Sequence, residues 1–453
     1  MTSDGYTRWY VRPEAERPAA ADSVSWKHPI AAARRRGKRV FFGWWIVFAG
    51  AAIQALTSAF MGGAYGAYVV KLREEFGWSK TQLSLAASLR EAESGILSPF
   101  QGAVLDRLGA RRVILTGLVV LGIGMMLLSR VDNLWQFYGA FLLMAIGASL
   151  CGYTSITYAA VQWFERRRST AISLTSAGFA IGGLCIPLIA FSLDHFGWRP
   201  TAFVSGIIII VAGVPLTRLI RTRPEDYGLH ADGDSAVQRQ ARRAALLASP
   251  RAGVSTTDFT LGEAIHTPQF WFLAGGHASS LFIVSALNVH LIPHLTESQG
   301  WSLGQAALIP WLLTFVQLFG TLSGGPLGDR FSKRWIVTGC MGMHVGGLLL
   351  LAHAQNLGMI LAFACLHGLA WGWRGPMMAS MRADYFGRSH FGKILGLSNG
   401  LIIAGTMTGP ILAGVLYDRT GDYRVGFDTL SVMAGLGSIF FILSTRPKPP
   451  RRA

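Results

Sequence analysis

About twelve stretches of mostly apolar residues dominate this chain, each close to the roughly 20 residues that a helix needs to cross a bilayer. Because lipid offers the backbone no hydrogen-bond partners, segments of this kind must be helical. With 51% hydrophobic and 14% charged residues among 453, the chain is excluded from the ordinary soluble and disordered classes. The sequence predicts an all-α membrane protein whose spans are residues 43–70, 80–104, 112–130, 134–160, 170–193, 201–220, 268–295, 303–327, 335–353, 357–381, 393–416 and 425–444.

A motif that occurs twice divides the chain into two halves. Asp106 and Asp329, each followed by arginine, end an apolar stretch and begin a basic loop, and they lie 223 positions apart (329 − 106). The same separation relates Gly77-Trp78-Ser79 to Gly300-Trp301-Ser302. A period this long is not a solenoid repeat. Paired halves in a hydrophobic chain are typical of secondary transporters.

The repeat and the loops predict five regions and one fold class. We expect a cytoplasmic N-terminal tail, an N-terminal six-helix bundle, a cytoplasmic linker rich in polar residues, a C-terminal six-helix bundle and a short C-terminal tail. The fold class is an all-α membrane protein with twelve transmembrane helices in two pseudo-symmetric six-helix bundles. The predicted regions are residues 1–42, 43–220, 221–266, 267–445 and 446–453.

The distribution of basic residues predicts the orientation. The chain has 41 Lys and Arg against 24 Asp and Glu, a formal net charge of +17. A nucleic-acid-binding protein gathers its basic residues on one surface, whereas here they concentrate in alternate loops and at both termini, the positive-inside pattern. We therefore expect a multi-pass protein of the plasma (cell inner) membrane with both termini cytoplasmic and no nucleic-acid partner.

Glycines recur at four-residue spacing within several spans, as in Gly178 and Gly182, Gly396 and Gly400, and Gly405 and Gly409. Small residues let helix backbones approach closely in lipid. Two interpretations stay open: plain packing within a bundle, and smooth faces along which the two halves slide.

The loop after the second span reads Gly-Ala-Val-Leu-Asp-Arg-Leu-Gly-Ala-Arg-Arg over residues 102–112, with a degenerate copy at 325–330. It resembles the signature loop of the major facilitator superfamily, which implies transport by alternating access. The resemblance also implies that the first aspartate pairs across the two halves when the inside is closed. The gating residues are then Asp106, Arg107, Arg111, Arg112, Asp329 and Arg330.

A narrower resemblance rests on three cytoplasmic segments: 223–229 (Arg-Pro-Glu-Asp-Tyr-Gly-Leu), 259–271 and 384–388 (Asp-Tyr-Phe-Gly-Arg). These are similar to the bacterial relatives of monocarboxylate transporters, which implies a small organic anion as substrate and protons as the coupled ion. The charged residues that those relatives carry in the first, eighth or eleventh span are absent here. Their particular substrates therefore cannot be transferred to this chain.

Three charged residues fall near the middle of the second span: Arg90, Glu91 and Glu93. Charges in a span are costly unless they are paired or face a cavity. Arg90 and Glu93 lie three positions apart on one helical face and could form a structural ion pair. Alternatively, Glu93 or Glu91 takes up the coupled proton.

Arg374 is the only charge inside the tenth span as predicted, and His367 lies on nearly the same helical face. A guanidinium in an aqueous cavity suits a carboxylate. The alternatives are a structural partner for Glu91 or Glu93, and a position facing the cytoplasm. Pro376 is expected to loosen this helix.

The remaining candidate substrate-binding residues are His290 of the seventh span, Gln54 and Tyr68 of the first, and Asn399 of the eleventh. His277, also in the seventh span, is predicted to be a packing residue.

Other functions are less well supported. An exporter of amphipathic compounds would not need a buried cation, so Arg374 discriminates against it. A membrane-embedded enzyme or a channel would need a catalytic cluster or a filter loop, and the sequence shows neither. There is no ATP-binding GxxxxGK[ST] motif and no metal-ligand spacing. We expect no enzymatic activity, no cofactor and no metal; the lipid bilayer surrounds the protein, and its oligomeric state stays open.

Overall fold

The computed structural model describes residues 40–63, 65–235, 237–238, 240–241 and 258–450. Within these ranges the chain forms helices and no strand. The helices belong to one compact unit, Phe41–Ala453. Most of the predicted N-terminal tail and residues 242–257 of the linker lie outside the described residues.

Within the described ranges, six spans make up each half, and we number them in chain order. The first half consists of span 1 (Gly43–Thr57, the π-helical Ser58–Gly63, and Tyr65–Phe76), span 2 (Lys80–Leu108), span 3 (Ala110–Leu128), span 4 (Leu134–Cys151 and Tyr153–Trp163), span 5 (Arg168–Leu184 and Ile186–Phe196) and span 6 (Trp198–Leu216). The second half consists of span 7 (Pro268–Pro293 and the π-helical His294–Ser298), span 8 (Leu303–Arg330), span 9 (Lys333–Ala352), span 10 (Leu357–Phe386), span 11 (Phe391–Thr420) and span 12 (Tyr423–Leu443).

Ten of these segments are long and apolar enough to cross a membrane by themselves. The two that are not, spans 2 and 5, have identifiable reasons. Span 2 carries Arg90, Glu91 and Glu93, and span 5 is interrupted at Cys185. Both lie inside the same bundle as the apolar spans, so partners within the protein compensate for their weaker apolar character.

The linker between the halves has little regular structure where it is described. It contains the 3-10 helices Glu225–Tyr227 and Ala231–Gly233 and the short α-helix Leu261–Ile265. None of these is long enough to span a bilayer.

The repeated Gly-Trp-Ser motif starts a helix in the same way in each half. Gly77 and Gly300 have positive φ angles of 65° and 70°, which glycine adopts without strain. The following Ser79 and Ser302 cap spans 2 and 8, each in a capping box with a glutamine three residues later. The repeat in sequence therefore encodes a repeat in local structure.

The most extensive contacts between the halves are at two crossings, span 2 against span 11 and span 5 against span 8. Glycines make these crossings close. A Cβ on Gly102 would lie 2.1 Å from the carbonyl oxygen of Gly392, and one on Gly325 would lie 2.6 Å from Cα of Thr170. Each half also has its own apolar core.

The glycine pairs differ in whether they pack within one half or between the halves. Gly178 and Gly182 contact span 1, and Gly405 and Gly409 contact span 7, so these pairs pack within one half. Gly396, whose added Cβ would lie 2.3 Å from the carbonyl oxygen of Ser98, packs between the halves. Small residues thus allow close packing both within a half and between the halves, and sliding along the faces between the halves stays a prediction.

Span 10 differs from its prediction in two ways. It remains one continuous helix through Pro376, although the proline was expected to loosen it. It also continues to Phe386, beyond the predicted end at residue 381, so Arg382 and Asp384 belong to the same helix as Arg374. The expectation that Arg374 is the only charge in this span was therefore wrong. A span predicted from apolar residues stops where the polar residues begin, whereas the helix itself continues through its packed, polar last turn.

Candidate functional site

A cavity of about 550 Å³ lies between the two halves. Spans 1, 2, 4 and 5 of the first half and spans 7, 8, 10 and 11 of the second line it, and a volume of this size suits a small molecule. Its lining combines polar and apolar side chains, among them Gln54, Tyr153, His277, Trp371 and Asn399. Asn399 Nδ2 donates to Thr154 Oγ1 at 3.3 Å, which joins the halves at the level of the cavity.

The charges of span 2 divide into a pair and a separate carboxyl group. Arg90 and Glu91, which line the cavity, form an ion pair of 3.6 Å. Glu93 is 6% exposed and accepts from Ser149 Oγ at 3.0 Å through Oε2, while its Oε1 is buried without a hydrogen-bond partner. The three-residue spacing suggested a pair between Arg90 and Glu93, but the structure pairs Arg90 with the adjacent glutamate.

The partner of Glu93 lies next to a break in span 4. The two helices of this span are separated at Gly152, which has an extended conformation. The break frees backbone carbonyls, and Gln101 of span 2 donates to the carbonyl oxygen of Ser149 at 2.6 Å and to Ser155 Oγ at 3.1 Å. Span 2 is thus joined to span 4 by a line of polar contacts that includes Glu93.

Arg374 is buried in the second half behind the cavity lining, to which it does not itself belong, and 1% of its surface is exposed. Its Nε and Nη1 atoms have no hydrogen-bond partner, and no carboxylate of the described residues forms an ion pair with it. The following residues Gly375 and Pro376 line the cavity. A buried cation without a counter-ion is costly. An anion in the adjacent cavity would offset the positive charge of Arg374.

The histidine predicted beside Arg374 is held by another histidine. His367 Nδ1 and His344 Nδ1 of span 9 are 2.9 Å apart, and both rings are buried. Neither lines the cavity. No pattern within the sequence of span 9 indicates that it reaches a candidate residue of span 10.

The other predicted substrate-binding residues are dispersed. Gln54 and Asn399 line the cavity. Tyr68 is buried among apolar side chains of spans 1, 3 and 4 in a separate small pocket. His290 makes a 3.0 Å hydrogen bond between Nε2 and the carbonyl oxygen of Pro410, outside the cavity lining.

A second buried arginine, in the same helix as Arg374, also lies behind the cavity lining. Arg382 is 1% exposed, and it donates from Nε to Ser398 Oγ at 2.9 Å and from Nη2 to His277 Nδ1 at 3.1 Å. His277 and Tyr153, which line the cavity, are electrostatic neighbours of both Arg374 and Arg382. Arg382 was not among the predicted site residues because the predicted span 10 ended at residue 381, whereas the helix continues to Phe386.

At one end of the bundle, which we call the Asp106 end, each half caps a helix of the other half. Asp106 accepts backbone N–H groups of Gly392 at 3.1 Å and Lys393 at 3.0 Å, at the start of span 11. Neither span 11 nor span 5 has a side-chain cap of its own. The carboxylate therefore satisfies exposed donors and complements the helix dipole.

Asp329 of the second half caps a helix of the first half in the same way. It accepts backbone N–H groups of Ser169 at 2.9 Å and Thr170 at 3.0 Å, and the Thr170 hydroxyl at 2.6 Å, at the start of span 5. The donors Ser169 and Gly392 are separated by the same 223 positions (392 − 169) as the two aspartates. The arginines of the two motifs, Arg107, Arg111, Arg112 and Arg330, are exposed.

An ion-pair cluster at the same end also joins the halves. Asp384 of span 10 pairs with Arg168 of span 5 and with Lys333 of span 9. Arg446, beyond the last helix, donates to the Asp384 carbonyl oxygen. Burial lowers the pKa of Arg446 from its usual value, and the Asp384 carboxylate opposes this shift.

Arg388, in the loop between spans 10 and 11, connects that loop to the linker and to the first half. Its Nη1 donates to the carbonyl oxygen of Gln162 at 2.6 Å, and Nη2 lies 3.3 Å from carboxylate oxygens of both Glu165 and Glu225. Its backbone N–H donates to Asp258 Oδ1 at 2.9 Å. Both ends of the linker therefore contact the loop between spans 10 and 11.

Comparisons with known proteins agree with this architecture. Residues 47–316 and 273–453 match the sequence profile of the Major Facilitator Superfamily. The chain is 26% identical over 422 residues to monocarboxylate transporter 11 of Mus musculus, covering 90% of this chain and 88% of that protein. It is 24% identical over 415 residues to monocarboxylate transporter 12 of Rattus norvegicus, covering 88% and 84%.

Among solved structures, the Major Facilitator Superfamily transporter FucP in the outward conformation matches with a TM-score of 0.70. That match has 16% sequence identity and covers 89% of this chain and 100% of FucP. The profile match, the two six-span halves and the helix caps exchanged between them lead to one conclusion: this chain is a multi-pass membrane protein that belongs to the Major Facilitator Superfamily of transporters.

Proposed function

We propose that this protein is a secondary active transporter that moves a small, monocarboxylate-like organic anion across the membrane by alternating access, coupled to protons. The observation that carries the proposal is the buried guanidinium of Arg374, which has no carboxylate partner and is adjacent to residues that line the cavity between the halves. The similarity to two monocarboxylate transporters supports the same substrate class.

The contacts between the halves support alternating access. The helix caps of Asp106 and Asp329 and the ion pairs of Asp384 all lie at one end. With the basic loops placed in the cytoplasm, this end is the inner side, both termini are cytoplasmic, and the arrangement is closed to the inside. Rocking of the two halves about the cavity would break these contacts and open the inner side.

Glu93 is the residue that we assign to proton coupling. One of its carboxyl oxygens is buried without a donor, and a neutral carboxyl group tolerates such a site better than a carboxylate does. Glu91 is already paired with Arg90 on the cavity wall. Release of the Glu93 proton would follow when rearrangement of span 4 or of Ser149 exposes the carboxyl group to water.

Arg374 is the residue that we assign to the substrate's negative group. The structural alternative, a pair with Glu91 or Glu93, is disfavoured because Glu91 pairs with Arg90 and Glu93 bonds to Ser149. A carboxylate from the substrate would form charge-assisted hydrogen bonds, each contributing roughly 1.5–3 kcal/mol. An amphipathic neutral compound would leave the guanidinium unpaired.

The test is uptake by the purified protein in proteoliposomes with an imposed pH gradient. The probes are labelled monocarboxylates, dicarboxylates and their neutral amides. We expect accumulation of an anion and not of its amide, loss of binding in Arg374→Gln, and weaker binding in Arg374→Lys, which keeps the charge but not the planar fork. Arg130→Gln, at an exposed position, is the matched control.

Two results would contradict the proposal. One is wild-type anion affinity in a well-folded Arg374→Gln protein, which would remove Arg374 from the site. The other is equal transport of the anions and their neutral amides, which would favour the exporter of amphipathic compounds instead.

A further inference from the structure

His277 lines the cavity and is also hydrogen-bonded to a buried cation behind the cavity lining. Its Nδ1 atom lies 3.1 Å from Nη2 of Arg382. A guanidinium has donors and no acceptor, so Nδ1 must accept and carries no hydrogen. The hydrogen of the neutral ring is then on Nε2, the nitrogen that Arg382 does not contact.

Arg382 is itself fixed in place. It is 1% exposed, and its Nε atom donates to Ser398 Oγ of span 11 at 2.9 Å. Asp384, two residues later in the same helix, is paired with Arg168 and Lys333. The geometry therefore leaves Arg382 oriented toward span 7, where the acceptor is the His277 ring.

The contact with Arg382 also requires a neutral ring, because an imidazolium carries a hydrogen on both nitrogens and has no acceptor. The charged groups that interact with it are the guanidiniums of Arg382 and Arg374 of span 10. A third positive charge beside two guanidiniums in the interior of the bundle would be repelled strongly. His277 is thus available as a neutral donor and not as a second cation.

We propose that His277 donates a hydrogen bond from Nε2 to the transported anion, and that Arg382 is the positioning residue that fixes this tautomer. The inference rests on the proposed function, since it assumes that an anion occupies the cavity that His277 lines. The substrate is then an organic anion with at least one acceptor oxygen directed at span 7 while its charge is neutralised by Arg374. From the sequence, His367 and His290 were the candidate substrate-binding histidines and His277 was predicted to be a packing residue.

The first experiment measures binding of pyruvate, lactate and succinate to the purified, detergent-solubilised protein by calorimetry. We expect His277→Phe to lower the affinity by about 10- to 100-fold, the loss of one hydrogen bond to a charged group. His277→Gln keeps a side-chain amide donor and should lose less. His195→Phe, at an exposed position on span 5, should bind as the wild type does.

Arg382 is tested by rescue and by non-additivity. Arg382→Met removes the donor to His277 and should weaken binding, whereas Arg382→Lys keeps a donor and should recover part of it. In a His277→Phe background, Arg382→Met should have little further effect on affinity, because the two residues act through one hydrogen bond. Fully additive losses would overturn the positioning role.

The second experiment needs no ligand. In ¹⁵N-histidine NMR spectra of the purified protein, assigned by comparison with His277→Gln, the His277 ring should show an unprotonated Nδ1 and a protonated Nε2. Arg382→Met should change this to a mixture of tautomers. A protonated Nδ1 in the wild type would overturn the inference directly.

The outcomes separate this inference from the proposed function. If Arg374→Gln abolishes anion binding and His277→Phe binds normally, only the role of His277 is wrong. If no anion binds the wild type at all, the proposed function is wrong, and the donor role falls with it, while the NMR measurement still decides whether Arg382 sets the tautomer.

Discussion

The helix caps exchanged between the halves predict how a single substitution should shift the transporter's conformational equilibrium. Asp106→Asn removes the negative charge and replaces one of the two oxygens that accept from Gly392 and Lys393. Hydrogen bonds to charged groups contribute roughly 1.5–3 kcal/mol. Loss of one such bond, which exists only while the halves are closed at this end, should raise the fraction open there by about 10- to 100-fold.

A cysteine buried at the closed end can report this shift. Ser380 is fully buried and accepts from Ser169 Oγ of the other half at 3.0 Å. We would introduce Ser380→Cys in a background in which the exposed Cys185 and Cys365 are replaced by alanine. The rate of alkylation by a membrane-impermeant reagent, applied on the side of the membrane where the Asp106 end lies, should rise in proportion to the open fraction in Asp106→Asn.

The control and the refuting result are both clear. Asp226→Asn, at an exposed linker position, makes the same chemical change and should leave the labelling rate of Ser380→Cys unchanged. A wild-type labelling rate together with wild-type transport in Asp106→Asn would refute the reasoning that the carboxylate stabilises the closed end. A protein that fails to insert would be recognised by its loss from the membrane fraction.

Three further predictions follow from other contacts. Glu93→Gln should abolish proton-driven accumulation while substrate counterflow continues, and unchanged accumulation in a flux assay would remove Glu93 from coupling. Gly102→Ala, whose added Cβ meets backbone of span 11, should favour the state open at the Asp106 end by cysteine accessibility, whereas Gly139→Ala, with open space around its Cβ, should not. Asp384→Asn leaves Arg168 without its ion pair and should lower the melting temperature in detergent by several degrees; an unchanged melting temperature would show that the pair adds no stability.

The sequence predicted the spans and their pairing into halves well, because both depend on local properties. Hydrophobic length alone identifies ten of the described spans, and short motifs such as Gly-Trp-Ser encode a glycine turn and a helix cap without reference to the rest of the chain. Boundaries were less reliable. Span 10 continues to Phe386 because its last turn packs against other helices, and this packing is invisible to a hydropathy window.

The candidate site was predicted only in part. Arg374, Glu93 and Asp106 were singled out because a charge in or at the edge of a span is costly, and that cost can be read from one position. What each charge contacts could not be read in the same way. Arg90 pairs with its neighbour Glu91, and Glu93 bonds to Ser149 of another span.

By itself, then, the sequence determined the membrane-spanning class, the two-fold repeat and the residues that need a partner. Only the tertiary structure decided which residues those partners are. Asp106 meets span 11, His367 meets His344, and Arg382 meets His277. The physical reason is that a side chain in a helix bundle is satisfied mainly by groups on other helices, often a hundred or more positions away, and their arrangement is set by the packing of the whole bundle.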